Sequence, residues 1–369
     1  MKNTKKLLSL VLCFVLFHTL SNLTFSAETA SESFIEGKYT YTVSYGVATI
    51  IGYNDIYNSP DDAHVVIPSV LGGYPVTTIG YHAFEDCTNI LSIQLSDTVT
   101  TIEKYAFEDI WLREITLSDS VTEIGEGAFA RCSDLKTVKF GNGLKNIGKY
   151  AFAHCTSLEE IVIPEGVETM GLSVFSNCYN LKKLHLPKSL EFIENNTITY
   201  WCRSLETLTV ASGNKAYHSA GNCLIETATK TMIGGTINSI IPADGSVTKI
   251  ESQALNNLYH RTVLIPDCIT EIENATFDYA YCLTDIYYYG TKAEWDKLYS
   301  GNIISNYEVN YHYLNDPDYK IESFDSSLLV LLRKILIQSE NPQTMAIDFN
   351  HDKSVDLKDL ISLKRALIS

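Results

Sequence analysis

The sequence predicts an α/β-type repeat solenoid with a parallel sheet along one face, followed by a small all-α helix pair. Three observations carry this expectation. A motif, Val-Thr-x-Ile-Gly-x-x-Ala-Phe-x-x-Cys, recurs with small departures at residues 76–87, 121–132, 144–155 and 167–178. Its phenylalanines, Phe84, Phe107, Phe129, Phe152 and Phe175, are spaced by 23, 22, 23 and 23 residues. A fixed short period means one small supersecondary unit stacked on copies of itself. Each motif then runs into an alternating apolar stretch with strand periodicity. Beyond residue 313 the period stops, and two similar amphipathic helices are written into the last stretch.

From the N-terminus, Lys2, Lys5 and Lys6 precede an apolar run at 7–20, and Thr24-Phe25-Ser26 places small residues at the −3 and −1 positions. This is the pattern of a cleaved secretory signal over 1–26. The run, about 14 residues, is shorter than the roughly 20 that span a bilayer. Leu12 before Cys13 argues against a lipoprotein site. No later segment has spanning length, so the sequence predicts a secreted, extracellular chain without a transmembrane segment. It could also be held at the cell surface through a partner. Residues 27–35 are expected to be a linker.

The repeats are predicted to occupy 36–313. Leu135/Val138/Phe140, Leu158/Ile161/Ile163, Leu181/Leu184/Leu186 and Leu205/Leu208/Val210 each end on two apolar residues two apart. Residues at that spacing share one face of an extended strand. Pro164-Glu-Gly166 and Pro187-Lys-Ser189 then turn the chain. The Ala-Phe pair is expected on a short helical turn, with Phe entering the core. The residues alternating with the core positions form an outward column, which is the natural binding surface of a solenoid. Its candidates are Gln94, Glu114, Thr116, Lys139, Glu160, Val162, His185 and Thr209.

Cys87, Cys132, Cys155 and Cys178 share one repeat position, where Ile110 and Leu258 also occur. Exchange with aliphatic residues argues for buried thiols that fill the core. A disulfide ladder remains open for a secreted chain. Cys202, Cys223, Cys268 and Cys282 are expected off register and are the candidates for reactivity.

The repeat resembles the BspA-type leucine-rich repeats of bacterial surface proteins. Residues 39–53 (YTYTVSYGVATIIGY) are similar to that family's N-terminal cap, and Val65-Val-Ile-Pro68 to a short entry coil. Residues 220–227 (AGNCLIET) resemble its irregular hairpin insert, placed near 211–246. Residues 269–289 with Gly290-Thr-Lys-Ala-Glu-Trp295 resemble its C-terminal coil and cap. The resemblance implies interaction, with no catalytic activity attached to the repeat.

The tail at 316–369 is predicted to be a second module. Asp348, Asn350, Asp352, Ser354, Asp356 and Asp359 fall at alternating loop positions that end on the twelfth. Ca2+ takes six to eight oxygen ligands, which such spacing turns inward around one ion. Leu360, Leu363 and Leu367 then lie on one helix face. This stretch resembles the second half of a type I dockerin, the calcium-binding module that docks onto cohesins of a cellulosome scaffold. The resemblance implies calcium as cofactor and a scaffold cohesin as partner, with Leu357, Lys358, Lys364 and Arg365 as cohesin-contact candidates. The upstream helix at 326–337 copies the second helix, but its loop is degenerate. Asp316, Asp318, Glu322 and Asp325 align with ligand positions only after a three-residue shift of frame. His351 and Lys353 stand where the family has glycines, so one calcium site is expected and a second is in doubt.

Charge and motifs bound the function. The net charge is −16, which disfavours nucleic acid because phosphate contacts need clustered Lys and Arg. No Gly-x-Ser-x-Gly or His-Glu-x-x-His motif occurs, and the nine histidines are scattered. The expectation is a non-catalytic binding protein. Its tail would dock to a cohesin, while its array binds a protein or cell-wall polysaccharide. An adhesin-like surface protein without a cohesin partner is the alternative. A cryptic carbohydrate-active enzyme ranks last.

Overall fold

The computed structural model describes residues 32–316, apart from 55–62, 86, 195–197, 257–260, 302 and 304–306. The secretory signal and the helix pair at 326–369 therefore lie outside the described residues.

Each coil holds two short strands joined by a tight turn. In the coil built on Phe129, the strand Glu123–Ile124 leads through Gly125–Cys132 to the strand Thr137–Lys139. Stacking these coils generates two sheets. The first opens with an antiparallel cap, Ser33–Glu36, Tyr39–Ser44 and Val47–Tyr53. It continues in parallel through Tyr74–Ile79, Thr101–Ile102, Glu123–Ile124, Asn146–Ile147, Thr169–Met170 and Phe192–Ile193. Residues 33–35, expected in a linker, belong to this cap because their backbone pairs with Thr40–Thr42.

The second sheet is also parallel. It runs His64–Val66, Ser92–Gln94, Glu114–Thr116 and Thr137–Lys139, then restarts as Glu160–Val162, Lys183–Leu186 and Thr207–Val210. The interruption falls after the coil in which Phe140 holds the place of Leu95, Leu117, Ile163 and Leu186. Those four are buried, whereas Phe140 is half-exposed with its ring edge-on to Phe152 at 6.0 Å.

Between the sheets the phenylalanines form a continuous stack. Successive centroids from Phe84 to Phe175 are 4.9, 5.2, 5.2 and 5.8 Å apart, and all five rings are fully buried. Offset contacts of this kind contribute about 0.5–1.5 kcal/mol each beyond area burial.

The turns that carry these rings are not helical, contrary to expectation. The residue before Ala and the one before the cysteine position both adopt left-handed backbone, as in Tyr105 (φ 57°) with Asp109 (57°), and Tyr150 (56°) with His154 (61°). Two left-handed residues within five positions stop a right-handed helix from propagating. The turns instead stack on one another. The N–H groups of Tyr105, Phe107 and Asp109 donate to the carbonyls of Glu126, Ala128 and Ala130, each at 2.9 Å. This third, one-directional ladder satisfies backbone that a helix would have bonded internally. Close stacking also explains the glycine after Ile. A Cβ on Gly125 or Gly148 would strike the backbone of the preceding coil.

The α/β-type expectation is corrected accordingly. The described residues form a nearly all-β solenoid with one helix, Lys292–Leu298. That helix starts on a capping box between Thr291 and Glu294 and buries Trp295 against Tyr288 and Tyr299. Before it, Tyr217–Ala220, Cys223–Glu226 and Thr231–Gly234 form an antiparallel insert. The array then resumes with Lys249–Ile250 and Glu271–Ile272 beside Thr231–Gly234, and Thr262–Ile265, Asp285–Tyr288 and Asn310–Tyr313 on the other side.

The eight described cysteines are free thiols. Cys132, Cys155, Cys178 and Cys202 are fully buried, and each Sγ–H donates to the carbonyl of the preceding coil's Phe at 3.1, 3.2, 3.1 and 3.0 Å. Burial pushes the Cys132 and Cys178 thiols up to about 12. Cys202 was expected off register and reactive, yet it continues this column. The 24-residue step from Cys178 obscures it in sequence. Cys223 is likewise fully buried, its thiol pushed up to about 12 by burial. Only Cys268 and Cys282 are half-buried.

Candidate functional site

The second sheet does gather the predicted column. Gln94, Thr116 and Lys139 are register partners, as are Val162, His185 and Thr209, with the interruption between the two sets. Glu114 and Glu160 begin the same strands. This column is largely self-satisfied. Lys139 pairs with Glu114, Lys183 with Glu160 at 3.5 Å, and His185 Nδ1 lies 2.8 Å from the Thr209 hydroxyl. Val162 stands exposed among them.

A groove of about 740 Å3 runs instead along the first sheet, across five consecutive coils. One wall is the outward column of the two-residue strands: Thr101, Glu123, Asn146, Thr169 and Phe192, aligned in register. The opposite wall carries Lys104, Glu126 and Lys149. Gly125, Gly148 and Gly171 line the floor in the three middle coils, and Glu103 and Glu194 take that position in the two end coils. Exposed Tyr81 and Phe192 stand at opposite ends.

The charged groups of this groove are ordered. Lys104 Nζ lies 3.0 Å from Glu126, whose other carboxylate oxygen accepts the Tyr105 hydroxyl at 2.9 Å. The Lys104 hydrogen bond, with that of Tyr105, holds the Glu126 carboxyl below the usual carboxylate range. Lys149 bonds Glu194 at 2.8 Å, which raises its pKa. Thr169 donates to the Asn146 side-chain oxygen at 2.7 Å. The Glu103 carboxylate accepts the Tyr81 N–H at 3.0 Å.

Sequence reasoning missed this wall. Its residues occupy the variable x of Val-Thr-x-Ile, a changing position beside fixed ones, and that was the available signal. The strands there are only two residues long, too short to show alternation.

Among the described residues, no group of three or more His, Cys, Asp or Glu could hold a metal ion. The proposed calcium ligands Asp348, Asn350, Asp352, Ser354, Asp356 and Asp359 lie outside the described residues. So do Asp318, Glu322 and Asp325, and the cohesin-contact candidates Leu357, Lys358, Lys364 and Arg365. Asp316 is described. Its carboxylate accepts the Lys292 N–H at 3.4 Å, at the start of the single described helix. No helix among the described residues is long and apolar enough to cross a membrane.

Parallel two-sheet coils and a stacked phenylalanine core define a leucine-rich repeat solenoid. The chain belongs to the BspA-type leucine-rich repeat family, whose model matches six copies over residues 77–206 and 235–305, more than half of the chain. No curated protein matches it in sequence. Its fold is similar to that of the pneumococcal vaccine antigen PcpA, with TM-score 0.60, 20% identity, and coverage of 71% of this chain and 72% of that one. A leucine-rich repeat protein from Bacteroides ovatus aligns with TM-score 0.54 and 24% identity over 75% and 78% of the two chains. A leucine-rich cell surface protein from Faecalibacterium prausnitzii aligns with TM-score 0.51 and 23% identity over 77% and 79%. Leucine-rich repeat proteins are typically non-catalytic, and BspA-like members are typically surface or secreted proteins.

Proposed function

We propose that this chain is a secreted, non-catalytic binding protein whose solenoid holds a polypeptide partner in the groove of the first sheet. The observation that carries this is the groove itself, which is continuous over five coils and floored by glycines in the three middle ones. A repeat array supplies such an extended surface without any chemistry of its own. The column on the second sheet is the secondary surface, because its charges are already paired to one another.

The tail is proposed to display this array. The oxygen-bearing residues from Asp348 to Asp359 support one calcium site, and their likeness to a dockerin supports docking to a scaffold cohesin. The reading of 1–26 as a secretory signal supports an extracellular setting.

Two measurements test these halves separately. The full chain is offered an immobilised type I cohesin with calcium or with EDTA, and retention in calcium alone is expected. Asp348→Ala with Asp352→Ala should abolish it, and retention unaffected by EDTA would sink the calcium-dependent tail. The array is tested on a library of extended peptides of basic, neutral and acidic charge. Binding of any class that is lost on Asn146→Trp, which fills the groove, supports the site. Binding of none removes it.

A further inference from the structure

The groove's charges do not cancel. Lys104 and Lys149 are each bonded to a carboxylate within the groove, Glu126 and Glu194. Those four charges neutralise in pairs. Glu123 projects from the second of the five strands, exposed, and meets no Lys or Arg among the described residues. Glu103 accepts one backbone N–H and also meets no cation among them. Glu123 is the register partner of Thr101, and Glu103 leaves the end of that same Thr101–Ile102 strand. The Glu103 carboxylate reaches back to the Tyr81 coil, whereas Glu123 stands one coil further on, so the groove presents two separate uncompensated carboxylates. A groove lined by uncompensated carboxylates concentrates cations.

We propose that Glu103 and Glu123 are two anionic contact points for Lys or Arg side chains of an extended, basic polypeptide segment lying along the groove. This rests on the protein-binding reading above and adds the chemical class of the partner. Five coils at about 4.8 Å per step give a trough of roughly 19 Å, enough for about six extended residues at ~3.3 Å each. The glycine floor at Gly125, Gly148 and Gly171 admits a backbone. The whole-chain charge of −16 attracts a basic segment and repels an acidic one. The second sheet offers no counterpart, since Glu114 and Glu160 already hold Lys139 and Lys183.

The test is fluorescence anisotropy on the full chain. Its probes are three labelled peptides, about nine residues each to span the trough at ~3.3 Å per residue, on one Ser/Thr backbone and bearing Lys, Gln or Glu. The Lys peptide is expected to bind about tenfold tighter than the Gln peptide, the scale of one charge-assisted hydrogen bond. Glu103→Gln with Glu123→Gln should erase that difference, while Glu160→Gln on the other sheet leaves it intact. Unchanged melting temperatures keep folding out of the comparison. Equal binding of the Lys and Gln peptides, or selectivity that survives the double substitution, overturns the two contact points but leaves a peptide-binding groove standing. Retention of cello-oligosaccharide with no peptide bound overturns both readings and points to a glycan.

Discussion

Gly127 shows how one position can be forced by its neighbour in the stack. It has φ +60° and stands where the adjacent coils have Tyr105 and Tyr150. A Cβ there would run into the Tyr105 ring. Those neighbours accept left-handed backbone at about 1 kcal/mol, so backbone strain alone does not explain the glycine; the ring does. Gly127→Ala should therefore cost more than about 1 kcal/mol in urea unfolding. Tyr105→Ser in the same chain should restore the part due to the clash, and an additive double variant would refute the contact. At this scale the sequence was legible where one residue type recurs. Cys132, Cys155 and Cys178 announced a buried column, whereas Cys202 did not, because the register had slipped by one residue.

The coil is the element that repeats, and its electrostatics run between coils rather than within them. Lys104 reaches Glu126 one coil on, and Lys145 reaches Glu168 at 3.0 Å. Glu126 has a lowered pKa in the folded chain because it holds Lys104 and Tyr105. Its contribution is complete at pH values above that of a free carboxyl and is lost as pH falls through the lowered value. Glu126→Gln should reduce stability by about 0.2–1 kcal/mol near neutrality, the range for exposed pairs. The gap from the parent chain should close on acidification below the usual carboxylate range. Parallel melting curves from pH 7 down to pH 3 check this, and a gap constant with pH would show that the bond contributes nothing. Strand positions were legible from alternation. The turns were not, since left-handed residues as varied as Tyr105, Arg131, His154 and Trp201 carry no shared side-chain signal.

Across the molecule, stability is carried by contacts between successive coils, so damage should spread along the stack. Phe129 is fully buried between Phe107 and Phe152, both at 5.2 Å. Phe129→Ala should cost about 3–5 kcal/mol. Hydrogen exchange should rise in the adjoining turns at 105–109 and 150–154, with far less change at Asp285–Tyr288, which packs in a separate core cluster. Uniform acceleration over both clusters would mean that the array unfolds as one unit.

The sequence by itself determined the period, the core residues and the solenoid, because a fixed spacing of buried side chains admits no other way to bury them all. Only the tertiary structure decided which side of the coil forms a groove and which charges there are left unpaired. Both depend on residues about 22 positions apart meeting across the stack, as Thr101, Glu123 and Asn146 do. That proximity is created by coiling and has no trace in the local pattern of any one repeat.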